Sequence, residues 1–152
     1  MNSNIREGKA IVAASTDASV LLGQISKKQL MAKVLVIEDE EILRESILNI
    51  LKLNGFSAIE AVNGRQGLQL AKEWVPNLIL CDIRMPELDG YEVLRALRQD
   101  PVTASIPVIF LTAESIQKVI DKGQSLGAKG YLSKPFSTAQ LLETINKELG
   151  DR

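Results

Sequence analysis

Histidine is absent from this 152-residue chain. Its absence excludes imidazole acid–base catalysis and any internal phosphohistidine. A single cysteine, Cys81, leaves no partner for an internal disulfide and fits a reducing compartment. No apolar run approaches the roughly 20 residues that a membrane-spanning helix needs. The apolar stretch from Ala10 to Ala14 is brief and soon meets Thr16 and Asp17, so the start does not read as a secretory signal. A cytoplasmic location is the expectation. There is no basic excess either: 18 Lys and Arg stand against 19 Asp and Glu, a net charge of −1. Wholesale binding to nucleic acid or to an acidic membrane calls for a basic surface and is not expected. The G-x-x-x-x-G-K-[ST] pattern of a P-loop is missing. A dinucleotide site would want glycines where Glu38 to Glu41 instead place negative charge that would repel a pyrophosphate.

What is present is the balance of a globular domain, 45% apolar and 24% charged, at a length suited to one domain with a proper core. From Lys33 onward two kinds of segment alternate. Short β-branched runs predict strands at Val34–Ile37, Ser57–Val62, Leu78–Cys81, Val108–Leu111 and Gly130–Ser133. Helical spacing follows each: Leu43, Ile47, Ile50 and Leu51; Leu68, Ala71 and Val75; Val93, Leu94 and Leu97; Ile116, Val119 and Ile120; Leu141, Ile145 and Leu149. Asn54-Gly55 is a stop signal for the first helix, and Asp89 with Glu92 and Ser137 with Gln140 have capping-box spacing at the third and fifth. Five strands alternating with five helices predict an α/β fold with a parallel sheet covered on both faces, which accounts for strands that are apolar throughout. Residues 1–31 have two readings. They form either a flexible leader, with Met31 an alternative start, or a short helix capped by Asp17 with Ala18, Leu21, Leu22 and Ile25 on one face.

Polar residues gather where the predicted strands end. Glu38 and Asp39 follow the first strand, Asp82 the third, Thr112 the fourth and Lys134 the fifth. In a parallel sheet these positions share the carboxyl edge, where open α/β folds bind ligands. Taken singly, each has a plain alternative: an acid that caps a helix, a turn threonine, a solvated lysine. Their conjunction at strand ends argues for a site. Three carboxylates packed together repel unless one protonates or a cation joins them. Oxygen ligands without Cys or His favour a hard cation, and a small open cluster suits Mg2+. Asp82 is then placed to act as a nucleophile toward phosphorus, with Lys134 and Thr112 available to the phosphoryl oxygens.

The segments LVIEDEE (Leu35–Glu41), LILCDIRMPELDGYEVL (Leu78–Leu94), VIFLTA (Val108–Ala113) and GAKGYLSKPF (Gly127–Phe136) resemble the receiver domain of bacterial two-component response regulators. The resemblance runs over about Ala32 to Leu149, and residues 32–150 are expected to form a receiver domain like the stand-alone chemotaxis regulators. It implies the flavodoxin-like receiver fold with strand order 2-1-3-4-5. It further implies Asp82 as phosphoacceptor, Asp39 as direct Mg2+ ligand, Glu38 acting largely through water, and the backbone carbonyl of Arg84 completing the protein's ligands. Thr112 and Lys134 match the family's hydroxyl and lysine, Tyr131 its rotamer-switching aromatic, and Lys134-Pro135 a cis peptide. The acidic pair is Glu-Asp where Asp-Asp is also common.

The implied function is a phosphorylation-dependent switch in a phosphorelay rather than an enzyme with an outside substrate. It would catalyse only its own phosphorylation and dephosphorylation. With no histidine here, the donor must be a histidine kinase or phosphotransfer protein in trans, or a small acyl phosphate. Phosphorylation is expected to draw Thr112 toward the phosphoryl, turn Tyr131 inward and alter the face of the fourth helix, fifth strand and fifth helix that partners read. No output module is apparent after Leu149, so direct DNA binding is not expected, and the protein is expected to be a monomer or a phosphorylation-dependent dimer. Arg84 and Glu114 are expected either to face each other across the cleft and tune the phosphorylated lifetime, or to be solvated charges.

Overall fold

The computed structural model describes residues 32–114 and 116–150, so the two readings of residues 1–31 lie outside the described residues. The order of elements is β1 (Lys33–Ile37), α1 (Glu41–Leu53), β2 (Ser57–Ala61), α2 (Gly64–Trp74), β3 (Leu78–Asp82), α3 (Gly90–Gln99), β4 (Val108–Thr112), α4 (Ile116–Leu126), β5 (Gly130–Ser133) and α5 (Thr138–Gly150). All pairings are parallel and the sheet order is 2-1-3-4-5, as expected.

Alternate residues of the apolar strands feed two cores. Leu35, Ile37, Ile79, Cys81, Val108 and Phe110 pack on one face with Ala71 of α2, Val93, Leu94 and Leu97 of α3 and Val119 of α4. Val34, Val36, Leu78, Leu80, Ile109 and Leu111 face the other way, against Ile47, Leu48 and Leu51 of α1 and Leu141, Ile145 and Leu149 of α5. Each fully buried Leu, Ile or Phe contributes about 1.5–3 kcal/mol. The two-sided burial fixes the register, because a slip of one residue would exchange the two faces.

Local chemistry sets the helix ends. Asp89 accepts from the Glu92 N–H while Glu92 reaches back to the Asp89 N–H, a complete capping box for α3. Ser137 and Gln140 make the same reciprocal pair before α5. Gly55, with φ 89°, follows the end of α1.

Several element ends depart from the sequence expectation, and β1 starts one residue earlier, at Lys33. β3 runs through Asp82 and β4 through Thr112, because the ladder continues to the pairs Asp82–Leu111 and Thr112–Ser133. β2 stops at Ala61, and the Val62 N–H turns to the Gln66 side chain at 2.7 Å. Val75 does not join the apolar face of α2. It is the C-cap in the left-handed region, φ 46°, and is 44% exposed.

Candidate functional site

The register brings the ends of β1, β3, β4 and β5 side by side at the carboxyl edge. Glu38 directly follows β1, its N–H bonded to the Ala61 carbonyl at 3.1 Å, and it is fully buried. Asp39 beside it is exposed, and Asp82 closes β3 almost fully buried. Carboxylate oxygens of Glu38, Asp39 and Asp82 lie within 4.8 Å of one another. Lys134 comes in from the far side of the cleft, past a Lys134–Pro135 peptide that is cis. Its Nζ is 3.1 Å from Asp82 Oδ1, a hydrogen bond, and 3.1 Å from Glu38 Oε1. The second contact is an ion pair without hydrogen-bond alignment, so Glu38 Oε1 has no directional donor among the described residues. Glu38 Oε2 accepts from the Glu40 N–H at 3.1 Å.

A close backbone packing shapes the floor of the cleft. A Cβ on Gly90 would sit 2.6 Å from the Asp82 carbonyl oxygen and 2.8 Å from the Ile83 Cα. Only glycine lets the start of α3 fold back this tightly on the end of β3, and its N–H bonds the Ile83 carbonyl at 2.9 Å.

The electrostatics follow from crowding acids in a protected place. Burial, then the charge of Asp82, raises the Glu38 carboxyl from its ordinary 4.5 to about 7. Burial also raises the Asp82 carboxyl; Lys134 opposes that shift and Asp39 adds to it. Burial works against the Lys134 ammonium, yet the carboxylates of Asp82 and Glu38 outweigh it and hold its pKa above the usual lysine value. One ammonium cannot balance three carboxylates. The oxygen-only donor set, with Glu38 Oε1 lacking a directional donor, fits a hard divalent cation.

The other expected residues flank this cluster. Thr112 is buried, and its Oγ1 accepts from the Glu114 N–H at 2.9 Å. Arg84 and Glu114 do face each other: Arg84 Nε donates to Glu114 Oε2 at 2.7 Å, and Nη2 contacts the same oxygen. The arginine end of this pair is exposed, so the contact itself adds little stability. Tyr131 on β5 is turned in, its ring 6.3 Å from that of Phe110 and its hydroxyl buried without a hydrogen-bond partner among the described residues.

Arg44 was not flagged by the sequence. It lies on the buried side of α1, and Nη1 donates to the Glu38 carbonyl at 2.9 Å while Nε donates to Glu60 Oε1 at 2.6 Å. The available signal was a cation in register with the apolar stripe of Ile47, Leu48 and Leu51.

Comparison with known proteins gives a consistent picture. Residues 34–146 match the family model described as the response regulator receiver domain. The probable transcriptional regulator ycf29 of Porphyra purpurea is 42% identical over 112 residues, covering 74% of this chain and 54% of that protein. The chain thus spans about half the length of this relative. The polar-differentiation response regulator DivK of Brucella anthropi is 36% identical over 118 residues, 78% of this chain and 96% of DivK. Among solved structures, the receiver domain of the sensor histidine kinase PA1611 from Pseudomonas aeruginosa, with a magnesium ion coordinated in its active site cleft, superposes with a TM-score of 0.73 at 29% identity. That match covers 79% of this chain and 98% of the other.

Proposed function

The chain belongs to the response regulator receiver-domain family, and from that premise we propose that it is a phosphorylation switch whose acceptor is Asp82. Membership implies phosphorylation-dependent signalling and exchange with histidine kinases or phosphotransfer proteins. The observation that carries the assignment is the cluster itself: Asp82 at the end of β3, bonded to Lys134 and within reach of Glu38 and Asp39.

Receiver domains bind Mg2+ in their active site. In this chain Glu38, Asp39, Asp82 and the backbone carbonyl of Arg84 are the groups that would hold it. When bound, Mg2+ supplies positive charge that offsets the negative oxygens of the transferring phosphoryl. The chain's own residues do the rest. An Asp82 carboxylate oxygen forms the new bond to phosphorus. The bond from phosphorus to the donor breaks, and its electron pair leaves on the donor, an imidazole nitrogen of a phosphohistidine or the carboxylate of an acyl phosphate. Lys134 holds its ammonium against the Asp82 carboxylate throughout. The Thr112 hydroxyl exchanges its contact with the Glu114 N–H for a phosphoryl oxygen. Tyr131, packed against Phe110 and α4, follows the position of Thr112. Together they bias the α4–β5–α5 face between two arrangements that partners distinguish.

On this reading residues 32–150 are the working domain, and it catalyses only its own phosphorylation and dephosphorylation. The donor approaches along α1. A groove of about 500 Å³ lined by Ile42, Leu43, Ser46, Lys134, Pro135 and Phe136 opens next to the cleft. Ile42 there is 80% exposed. A donor helix carrying phosphohistidine fits this place, because an apolar landing surface adjoins the lysine that meets the phosphoryl. Arg84 and Glu114, paired over the opposite rim, are placed to slow the water that ends the signal. Alanine at either position then shortens the phosphorylated lifetime, and unchanged or slower dephosphorylation in both variants contradicts that role.

Acetyl phosphate or phosphoramidate with Mg2+, read by intact mass, tests the main assignment. One phosphoryl adduct is expected, and it should disappear in Asp82→Ala or on chelation of Mg2+. A folded wild-type protein that takes up no phosphoryl from several donors would overturn the proposal.

A further inference from the structure

Arg44 is a buried cation with no part in the phosphoryl chemistry above. Only 8% of the residue is exposed, and a guanidinium removed from water costs several kcal/mol unless its hydrogen bonds compensate. Its contacts therefore indicate its role. Nε pairs with Glu60 on β2, a residue with a half-exposed side chain. Nη1 goes inward to the backbone carbonyl of Glu38.

That carbonyl lies just past the last β1–β3 pair, Ile37–Cys81, where the sheet no longer orders the chain. On its amide side the turn is held by the Glu38 N–H to Ala61 bond. On its carbonyl side Arg44 substitutes for the missing strand. Both ends of the Glu38 backbone are therefore bonded, beside the two side chains that gather with Asp82.

We infer that Arg44 is a positioning residue for the metal-binding turn: its grip on the Glu38 carbonyl fixes the Glu38–Asp39 peptide and so sets the affinity for a divalent cation. This rests on the Mg2+ reading of the acidic cluster. Charge and position predict opposite signs. As a nearby positive charge Arg44 would repel a cation, and its removal would tighten Mg2+ binding. As a clamp on the ligand-bearing turn, its removal weakens binding, and loss of such outer-shell support commonly costs about 10–100-fold in metal affinity.

Calorimetric Mg2+ titration of the whole chain, without a phosphodonor, decides between them. Arg44→Met should raise the Mg2+ dissociation constant by roughly 10-fold or more, whereas Glu60→Gln, which keeps the bond to Glu38, should change it by less than about 3-fold. Phosphorylation of Arg44→Met by acetyl phosphate should recover toward the wild-type rate once Mg2+ is saturating, because Arg44 touches no reacting atom. If Arg44→Met does not fold, Arg44→Met with Glu60→Gln removes the abandoned carboxylate and carries the same test. A folded variant that binds Mg2+ as tightly as wild type, or more tightly, overturns the inference. Asp39→Asn separates the two levels. If it loses Mg2+ while Arg44→Met keeps it, only the role of Arg44 falls. If wild type and Asp39→Asn titrate alike, the metal reading falls and takes this inference with it.

Discussion

Lys134 and Asp82 are 52 positions apart in the chain and 3.1 Å apart in space, and that contact is what the sheet order exists to deliver at this edge. Lys134 also meets Glu38, so it is the cation that two buried acids share. Replacing it with Gln keeps the bulk and removes the charge. The rate of phosphorylation by acetyl phosphate should fall by about 10²-fold, the usual loss for one preorganised donor, while Asp82 remains the acceptor. A rate within a few-fold of wild type in a stopped mass assay would remove Lys134 from the chemistry. Tyr131 gives a second residue-scale prediction. Its buried hydroxyl has no hydrogen-bond partner among the described residues, and an unsatisfied buried group costs about 1–3 kcal/mol. Tyr131→Phe should therefore stabilise the unphosphorylated domain by about 1 kcal/mol in urea unfolding, and a loss of stability would mean that the hydroxyl is satisfied.

Among the elements, α4 carries the most informative packing. A Cβ on Gly123 would lie 2.7 Å from Tyr131 Oη and 2.9 Å from its Cε1. Helix propensity alone favours Ala over Gly by about 1 kcal/mol at such a position. Packing opposes it, because the added methyl claims the seat of the tyrosine. Gly123→Ala should drive the Tyr131 ring outward, raising its reactivity toward nitration relative to Tyr91. Equal reactivity in both proteins would show that the ring adapts without leaving. Neither Gly123 nor Arg44 was legible in the sequence. Apolar periodicity reports which side chains are buried, so it gave all five strands, all five helices and the two sheet faces. It is silent on which residue of a neighbouring element fills a gap. It also misjudges ends, which hydrogen-bond ladders and backbone angles set: Asp82 and Thr112 are the last residues of β3 and β4 because their neighbours still pair, and Val75 leaves α2 in a left-handed turn despite its apolar side chain. The clustering of Glu38, Asp39, Asp82, Thr112 and Lys134 was legible because each lies at or just past a strand end, where an abrupt change from apolar to polar marks the edge of the core.

For the molecule as a whole, the sheet order places β2 at one edge and gathers the ends of β1, β3, β4 and β5 into one cleft, with α1 on its rim. No helix among the described residues is long and apolar enough to cross a membrane. Two routes to the cleft then differ in size. On the proposed function a small acyl phosphate would need only the acids and Lys134, while a protein donor would also need the α1 groove. Ile42→Glu should lower phosphotransfer from a phosphorylated donor protein by about 10-fold or more, the loss of an apolar anchor, and leave acetyl phosphate labelling unchanged. Equal losses from both donors would show that the change disturbs the cleft and not docking. If Asp82 is the acceptor, the phosphoryl group resides on that one side chain, and locating it is the test. The protein is phosphorylated with Mg2+ present, treated with borohydride, which reduces an acyl phosphate to an alcohol, and digested for peptide sequencing by mass. Homoserine is expected at position 82, with Glu38 and Asp39 unmodified. Reduction at another acid, or none on a protein that carries the phosphoryl, would contradict it.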